Sequence, residues 1–199
     1  MLKIDMHSHI LPQTMPNWTQ KFGYGKFIHL ETNTDGSANM MQGGQFFRRI
    51  VENCWDEQLR IDEYKPYNTQ VQVVCTIPVM FSYWAKTADA LELSRFLNDH
   101  IAELVQRYPK NYIGLATIPM QDAEAAILEL ERAKAIGHVG IQIGSNINDE
   151  NLSEEKFFPI FEACARLGMA VMIHPWQMMG FDRVSSAFKM FLGKRQKSL

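Results

Sequence analysis

Five short apolar runs, separated by segments with helical periodicity, set the limits on how this chain folds. The runs are Leu2–Met6, Val71–Ile77, Tyr112–Ile118, Val139–Ile143 and Met169–Ile173. Each is nearly continuous in apolarity and bounded by Gly, Pro or polar residues. That pattern fits strands buried on both faces, as in a parallel sheet. Between them, Ala88–Arg107 places Leu93, Phe96, Leu97, Ile101, Leu104 and Val105 on one stripe, with Thr87 as cap and Pro109 past the end. Ala123–Ile136 repeats the theme and stops at Gly137. Glu154–Leu167 follows Ser153 as cap and stops at Gly168, and a weaker helix, Glu57–Tyr64, is closed off by Pro66.

Strand and helix in alternation imply right-handed βαβ units and an α/β fold. A closed barrel of this type needs eight strands. A doubly wound open sheet accommodates five, but usually carries a Gly-rich turn after its first strand. Here the first strand runs into His7-Ser8-His9 instead. The expectation is therefore an incomplete (β/α)8 TIM-type barrel of about five parallel strands. Residues 12–54 break the alternation. They hold five glycines and the aromatic residues Trp18, Phe22, Tyr24, Phe27, Phe46 and Phe47. This segment reads as an insertion after strand 1, a small hairpin flap over a site; its aromatic content argues against a disordered tether.

Composition bounds the functional classes. The 199 residues suffice for one domain with a core, and a net charge of −2 points to neither nucleic acid nor an anionic membrane surface. Cys54, Cys75 and Cys164 are far apart and odd in number, which fits a reducing compartment. The N-terminus lacks the apolar stretch of a signal peptide and no run is long enough to span a bilayer, so a cytoplasmic protein is expected.

His7 and His9 stand two apart at the end of the first strand, where side chains i and i+2 share a face. Two imidazoles so placed can chelate one divalent ion; a surface pair is the alternative. Asp5, two residues earlier, is a candidate hydrogen-bond partner behind them. His174 ends the fifth strand, on the rim where barrel strands converge, and can reach the same ion; otherwise it is a lone histidine satisfied by a carbonyl. His29, His100 and His138 read as structural or solvent-exposed. Arg48, in the insertion, can grip a carboxylate by two points, although its spacing fits a solvated surface charge equally well. Cys75 reads as packing. Trp176 and the Met178-Met179 pair can line a pocket or belong to the core.

Several longer phrases carry a resemblance. Ile4-Asp5-Met6-His7-Ser8-His9-Ile10-Leu11-Pro12, Glu52-Asn53-Cys54-Trp55-Asp56, Pro78-Val79-Met80-Phe81-Ser82-Tyr83-Trp84, Gly140-Ile141-Gln142-Ile143-Gly144 and His174-Pro175-Trp176 resemble the 2-amino-3-carboxymuconate-6-semialdehyde decarboxylase family of the amidohydrolase-related superfamily. The resemblance covers about residues 1–180. It implies a zinc-dependent (Zn2+), oxygen-independent decarboxylase of tryptophan and kynurenine catabolism. Its substrate is a dicarboxylate semialdehyde, whose removal limits quinolinate formation. By the same match His7, His9 and His174 are zinc ligands, Arg48 meets a substrate carboxylate, and the protein is a homodimer.

Departures accompany the match. The family continues through three more strands that supply a catalytic histidine, an aspartate ligand and an arginine offered across the dimer. Residues 181–199 no longer resemble it and form a divergent basic tail, so a truncated product is the expectation. The lysine that the family places just ahead of the substrate arginine is missing from Gln42 to Gln45, and Gln177 stands where an aspartate is common. A metal-dependent hydrolase of the same superfamily is one competing reading. Two-metal hydrolases commonly use a lysine after the fourth strand; here that position reads Gly144-Ser145-Asn146, which favours a single ion. The other is a non-catalytic product that pairs with a full-length subunit. Five strands leave two open edges. The isolated 199-residue chain is expected to be poorly soluble and to hold zinc weakly; purified protein with near-stoichiometric zinc and measurable decarboxylation would contradict this.

Overall fold

The computed structural model describes residues 2–177. The tail at 181–199, the boundary near 180 and the Met178-Met179 pair lie outside the described residues. Strand β1 (Ile4–His9) opens the chain. Helix α1 (Trp18–Phe22) follows, capped by Asn17, which accepts from the Gln20 N–H, and stopped by Gly23 in the left-handed region. Strands β2 (Ile28–Thr32), β3 (Ala38–Gln42) and β4 (Gln45–Ile50) form an antiparallel sheet of their own. The β3–β4 turn is Gly43-Gly44, with φ of +58° and +81°, the pair of positive angles a two-residue hairpin turn demands. The insertion is thus a three-stranded meander with a helical turn, one strand more than a hairpin flap.

Helix α2 (Glu57–Tyr64) is capped by Asp56 and extended by a 3-10 turn, Lys65–Tyr67, that contains Pro66. Strand β5 (Val71–Cys75), helix α3 (Thr87–Arg107), strand β6 (Tyr112–Ala116), helix α4 (Ala123–Ala135) and strand β7 (Gly140–Gly144) continue the alternation. A short hairpin of β8 (Asn146–Ile147) and β9 (Glu150–Asn151) precedes helix α5 (Phe158–Leu167) and strand β10 (Ala170–His174). Two expected starts moved. Lys86 is the N-cap of α3, and Thr87 lies inside it, its hydroxyl donating to Asp122 instead. The helix expected from Glu154 begins as a 3-10 turn at Glu155–Phe157 and becomes α-helical only at Phe158, where Pro159 sits in the first turn and needs no N–H partner.

The five long parallel strands order as β1-β5-β6-β7-β10 and curl into a half-barrel with helices outside it, so β1 and β10 are its edges among the described residues. One buried cluster, centred on Ile118, Leu130, Ile141, Ile143 and Ile160, packs the sheet against α4 and α5. A second, including Trp18, Phe27, Met40, Trp55, Leu93 and Leu97, welds the insertion to α3. Ile4, Met6, Val73, Leu115 and Met172 line an open apolar hollow on the concave side. No helix among the described residues is long and apolar enough to cross a membrane.

A buried polar clasp joins α3 to α4. The Asn98 amide donates to Thr117 O (2.9 Å) and Glu129 Oε1 (2.7 Å), while its oxygen accepts from Thr117 N–H (2.8 Å). Glu129 also receives Arg132 and Arg95. His138 is buried, and its Nε2 lies 3.0 Å from Asn98 O, a structural role as expected. Replacing Asn98 with leucine strands Thr117 and leaves a buried carboxylate short of a donor. Asn98→Leu is expected to lower unfolding free energy by about 2–4 kcal/mol, read by urea denaturation; a loss below about 0.5 kcal/mol would remove the clasp from the account.

His100 on α3 lies beside the Glu57–Arg107 ion pair. Burial pushes its pKa down to about 4, with Glu57 opposing and Arg107 assisting. It is neutral in the fold but charges in the unfolded chain below its ordinary value of about 6.5. Its contribution is therefore complete above about pH 6.5 and is lost as pH falls towards 4, by up to roughly 3 kcal/mol. His100→Gln should flatten the pH dependence of urea stability in that window; a parallel profile would refute the assignment.

Candidate metal centre

A bulge in β1 decides where its side chains point. Asp5 pairs opposite Gln72 and Ser8 opposite Val74, so β1 takes three steps where β5 takes two. The alternation therefore slips once. Ile4 and Met6 line the apolar hollow, and after the bulge His7 and His9 turn to the same side of β1, where they meet His174. Asp5 and Ser8 both face α2: Asp5 accepts from the Tyr64 hydroxyl (3.0 Å), and Ser8 meets Arg60 and Gln72. Asp5 is thus held by Tyr64 and by the His7 backbone N–H (3.3 Å), with no hydrogen bond to an imidazole.

The three histidines singled out from sequence come together. Ring centroids lie 4.6 Å apart for His7–His9, 5.1 Å for His7–His174 and 5.4 Å for His9–His174. One ring nitrogen from each lies within 4.8 Å of the others. Two rings are held through Nδ1, that of His9 by Thr76 O (2.9 Å) and that of His174 by Pro175 O (2.7 Å). A proton on Nδ1 makes each of these bonds and leaves the Nε2 lone pair free. Burial lowers the pKa of His9 to about 4, with His7 adding to the effect. Burial also lowers that of His7, followed by the nearness of His174, against the pull of Asp5. Both rings are neutral near pH 7.

A residue passed over in sequence joins them. Gln142, fully buried in β7, places its Nε2 3.2 Å from His7 Nε2, and its Oε1 has no partner. Its signal was an amide in the middle of an otherwise apolar strand, the type of residue that stays buried only with a purpose. Beyond His174 the chain is latched to the loop after β7. Trp176 N–H donates to Ser145 Oγ (3.0 Å), and the Asn146 amide donates to the carbonyls of Trp176 (2.6 Å) and Gln177 (3.1 Å). Gly144 permits this approach, because a Cβ there would meet Trp176 at 3.1 Å.

Arg48 lies on β4 opposite Met40, exposed, with its guanidinium 5.7 Å from the Phe47 ring centroid. Among the described residues it has no ion pair or hydrogen bond, whereas neighbouring Arg49 is engaged by Asp35 and Ser37. Among the described residues no hydrogen bond, ion pair or ring contact joins Arg48 to a histidine. His29 lies 3.5 Å from Glu31 within the insertion. Cys75 is fully buried and burial pushes its thiol up to about 12, which fits packing rather than nucleophilic use.

The sequence profile of the amidohydrolase family matches residues 4–191. A 2-amino-3-carboxymuconate-6-semialdehyde decarboxylase of Dictyostelium discoideum is 52% identical over 92% of this chain and 51% of its own length. The enzyme of the same name from Caenorhabditis elegans is 30% identical over 90% of this chain and 57% of its own. The chain thus spans about half the length of the curated relatives it matches. Among solved structures, a manganese-bound 5-carboxyvanillate decarboxylase from Novosphingobium aromaticivorans superimposes with a TM-score of 0.69 at 21% identity, over 96% of this chain and 55% of that one. That likeness establishes the fold.

Thiol chemistry offers a check on the burial described. Native protein treated with iodoacetamide near pH 7.5 should be modified at half-buried Cys54 well before buried Cys75 and Cys164, as read by mass spectrometry. Early labelling of Cys75 would contradict the packing around β5.

Proposed function

From the premise that this chain belongs to the amidohydrolase family, we propose that it is the metal-binding half of a barrel decarboxylase acting on 2-amino-3-carboxymuconate 6-semialdehyde. The observation that carries the reading is the meeting of His7, His9 and His174 at one strand rim. The likeness to relatives named for that reaction supplies the substrate. Three imidazole ligands suit zinc better than manganese or magnesium, which prefer carboxylate oxygen. The donor set therefore fits the zinc that the family resemblance implies, and the Nδ1 contacts of His9 and His174 leave the correct nitrogens free. When bound, such an ion supplies Lewis acidity to a coordinated water or substrate oxygen.

The chain's own residues prepare that site. Thr76 and Pro175 carbonyls fix the tautomers of His9 and His174, and Gln142 limits rotation of His7. The latch by Ser145 and Asn146 holds the loop that follows His174. Arg48, free of carboxylate partners among the described residues, is the group proposed to bind and orient a substrate carboxylate. The part of the relatives' length beyond this match is where the reading places the proton-transfer histidine and a carboxylate ligand. A homodimer in the cytoplasm, serving tryptophan catabolism, belongs to the same proposal.

Metal titration tests it. The chain should bind one Zn2+ or Co2+, and His7→Ala, His9→Ala and His174→Ala should each weaken binding by about a hundredfold or more, beyond the 10- to 100-fold typical of residues that only support a ligand. Equal binding by wild type and a triple histidine variant would overturn the proposal. Turnover of amides or lactones without release of carbon dioxide would redirect it to a hydrolase.

A further inference from the structure

Helix α2 drives Arg60 under the end of β1, on the face opposite the imidazoles. Arg60 is 8% exposed. Its Nη1 donates to the main-chain carbonyls of His9 (3.0 Å) and Asn53 (2.7 Å). Its Nη2 donates to Ser8 Oγ and to Gln72 Oε1 (2.9 Å). Nε has no partner. None of the ion pairs among the described residues includes Arg60. The acidic residues of α2 are engaged elsewhere, Glu57 with Arg107, Asp62 with Lys65 and Glu63 with Asn53.

A guanidinium removed from water without a counter-charge costs several kcal/mol, and an apolar residue would pack α2 against β1 more cheaply. What the apolar residue lacks is the fork. Arg60 reaches four neutral oxygens at once, on Ser8 and His9 of β1, Gln72 of β5, and Asn53 in the 3-10 turn that returns from the insertion. Ser8 lies between the two β1 imidazoles, on the residue whose outward turn completes the bulge.

We infer that Arg60 is a positioning residue for the metal centre. It clamps Ser8 and the His9 carbonyl so that the bulged backbone aims both rings inward, and through Asn53 it ties the Arg48-bearing insertion to the same strand. The inference rests on the reading of the three histidines as ligands. A lysine cannot replace the fork, because its single ammonium presents all its donors at one point.

The test uses the 199-residue chain with Co2+ as probe, reading affinity by titration and geometry from the visible absorption of the bound ion. Arg60→Lys should weaken Co2+ binding at least about tenfold and alter the spectrum, as loss of a supporting group typically does. Ser8→Ala, which removes one acceptor, should move both in the same direction by less. Asn98→Leu, a destabilised control whose hydrogen bonds involve neither the three histidines nor Arg60, should keep the wild-type affinity and spectrum. Wild-type affinity and spectrum in Arg60→Lys would overturn the inference, as would an equal change in Asn98→Leu. Should Arg60→Lys not fold, an unaltered Ser8→Ala overturns it alone. Failure of the wild-type chain to bind Co2+ would instead sink the ligand reading, and this inference with it.

Discussion

The curvature of the sheet is the constraint on which the candidate centre depends. The strands that bear the three histidines, β1 and β10, are the two edges of a five-stranded sheet. Laid flat, strands four intervals apart would be separated by about 19 Å, at roughly 4.8 Å per interval. The rings of His174 and the β1 pair instead lie 5.1 and 5.4 Å apart. A sheet curled into a half-barrel, with these side chains aimed inward from its two edges, closes that distance. The curl in turn follows from strand twist, from helices packed on the convex side, and from glycine at Gly140, where a Cβ would meet the Ala170 carbonyl at 2.5 Å.

Curvature alone would still have failed without the bulge. With unbroken alternation from Ile4, the inward residues of β1 would be Ile4, Met6 and Ser8, and both imidazoles would point into α2. One extra residue reverses the parity. The same slip turns Ser8 outward to Arg60, which links the aiming of the rings to a cation buried on the other face. Site and support are therefore two sides of one backbone irregularity. The energetics agree: bulges and unpaired buried charges both cost stability, and they coincide at the one strand where two imidazoles must face inward together.

Much of this was legible in the residues, and what was not has physical reasons. The five strands announced themselves by continuous apolarity, although burial on both faces holds only for the inner strands β5, β6 and β7, while β1 and β10 at the edges are largely exposed. The helix ends showed because Gly137 and Gly168 supply positive-φ stops. His7, His9 and His174 could be paired in advance because parallel strands of a barrel end on a common rim. The bulge was not legible, since nothing in Asp5-Met6-His7-Ser8 distinguishes a slipped strand from a regular one. That is why Asp5 was expected behind the imidazoles and is found turned towards α2, where it accepts from Tyr64. The third strand of the insertion was hidden by its exposed polar edge, and the delayed start of α5 by Ser153, a good cap residue in a segment that first turns as a 3-10 helix. Gln142 and Arg60 share a different reason. A polar residue in an apolar setting signals purpose, but which purpose depends on partners 135 and 51 residues away in the chain.

Because β1 and β10 are the edges of the sheet among the described residues, the proposed ion has a second consequence. An ion held by β1 and β10 at once bridges the two ends of the curl, so ligation and curvature belong to one equilibrium. A flatter sheet separates the ligands and lowers affinity, and a bound ion resists flattening by RT ln(1 + [L]/Kd), about 2.7 kcal/mol at a hundredfold excess over Kd. The apolar hollow lined by Ile4, Met6 and Met172 lies on the same concave side, so flattening would also expose it further. Metal affinity, edge exposure and solubility should therefore change together in this chain rather than separately, because all three read the same sheet angle.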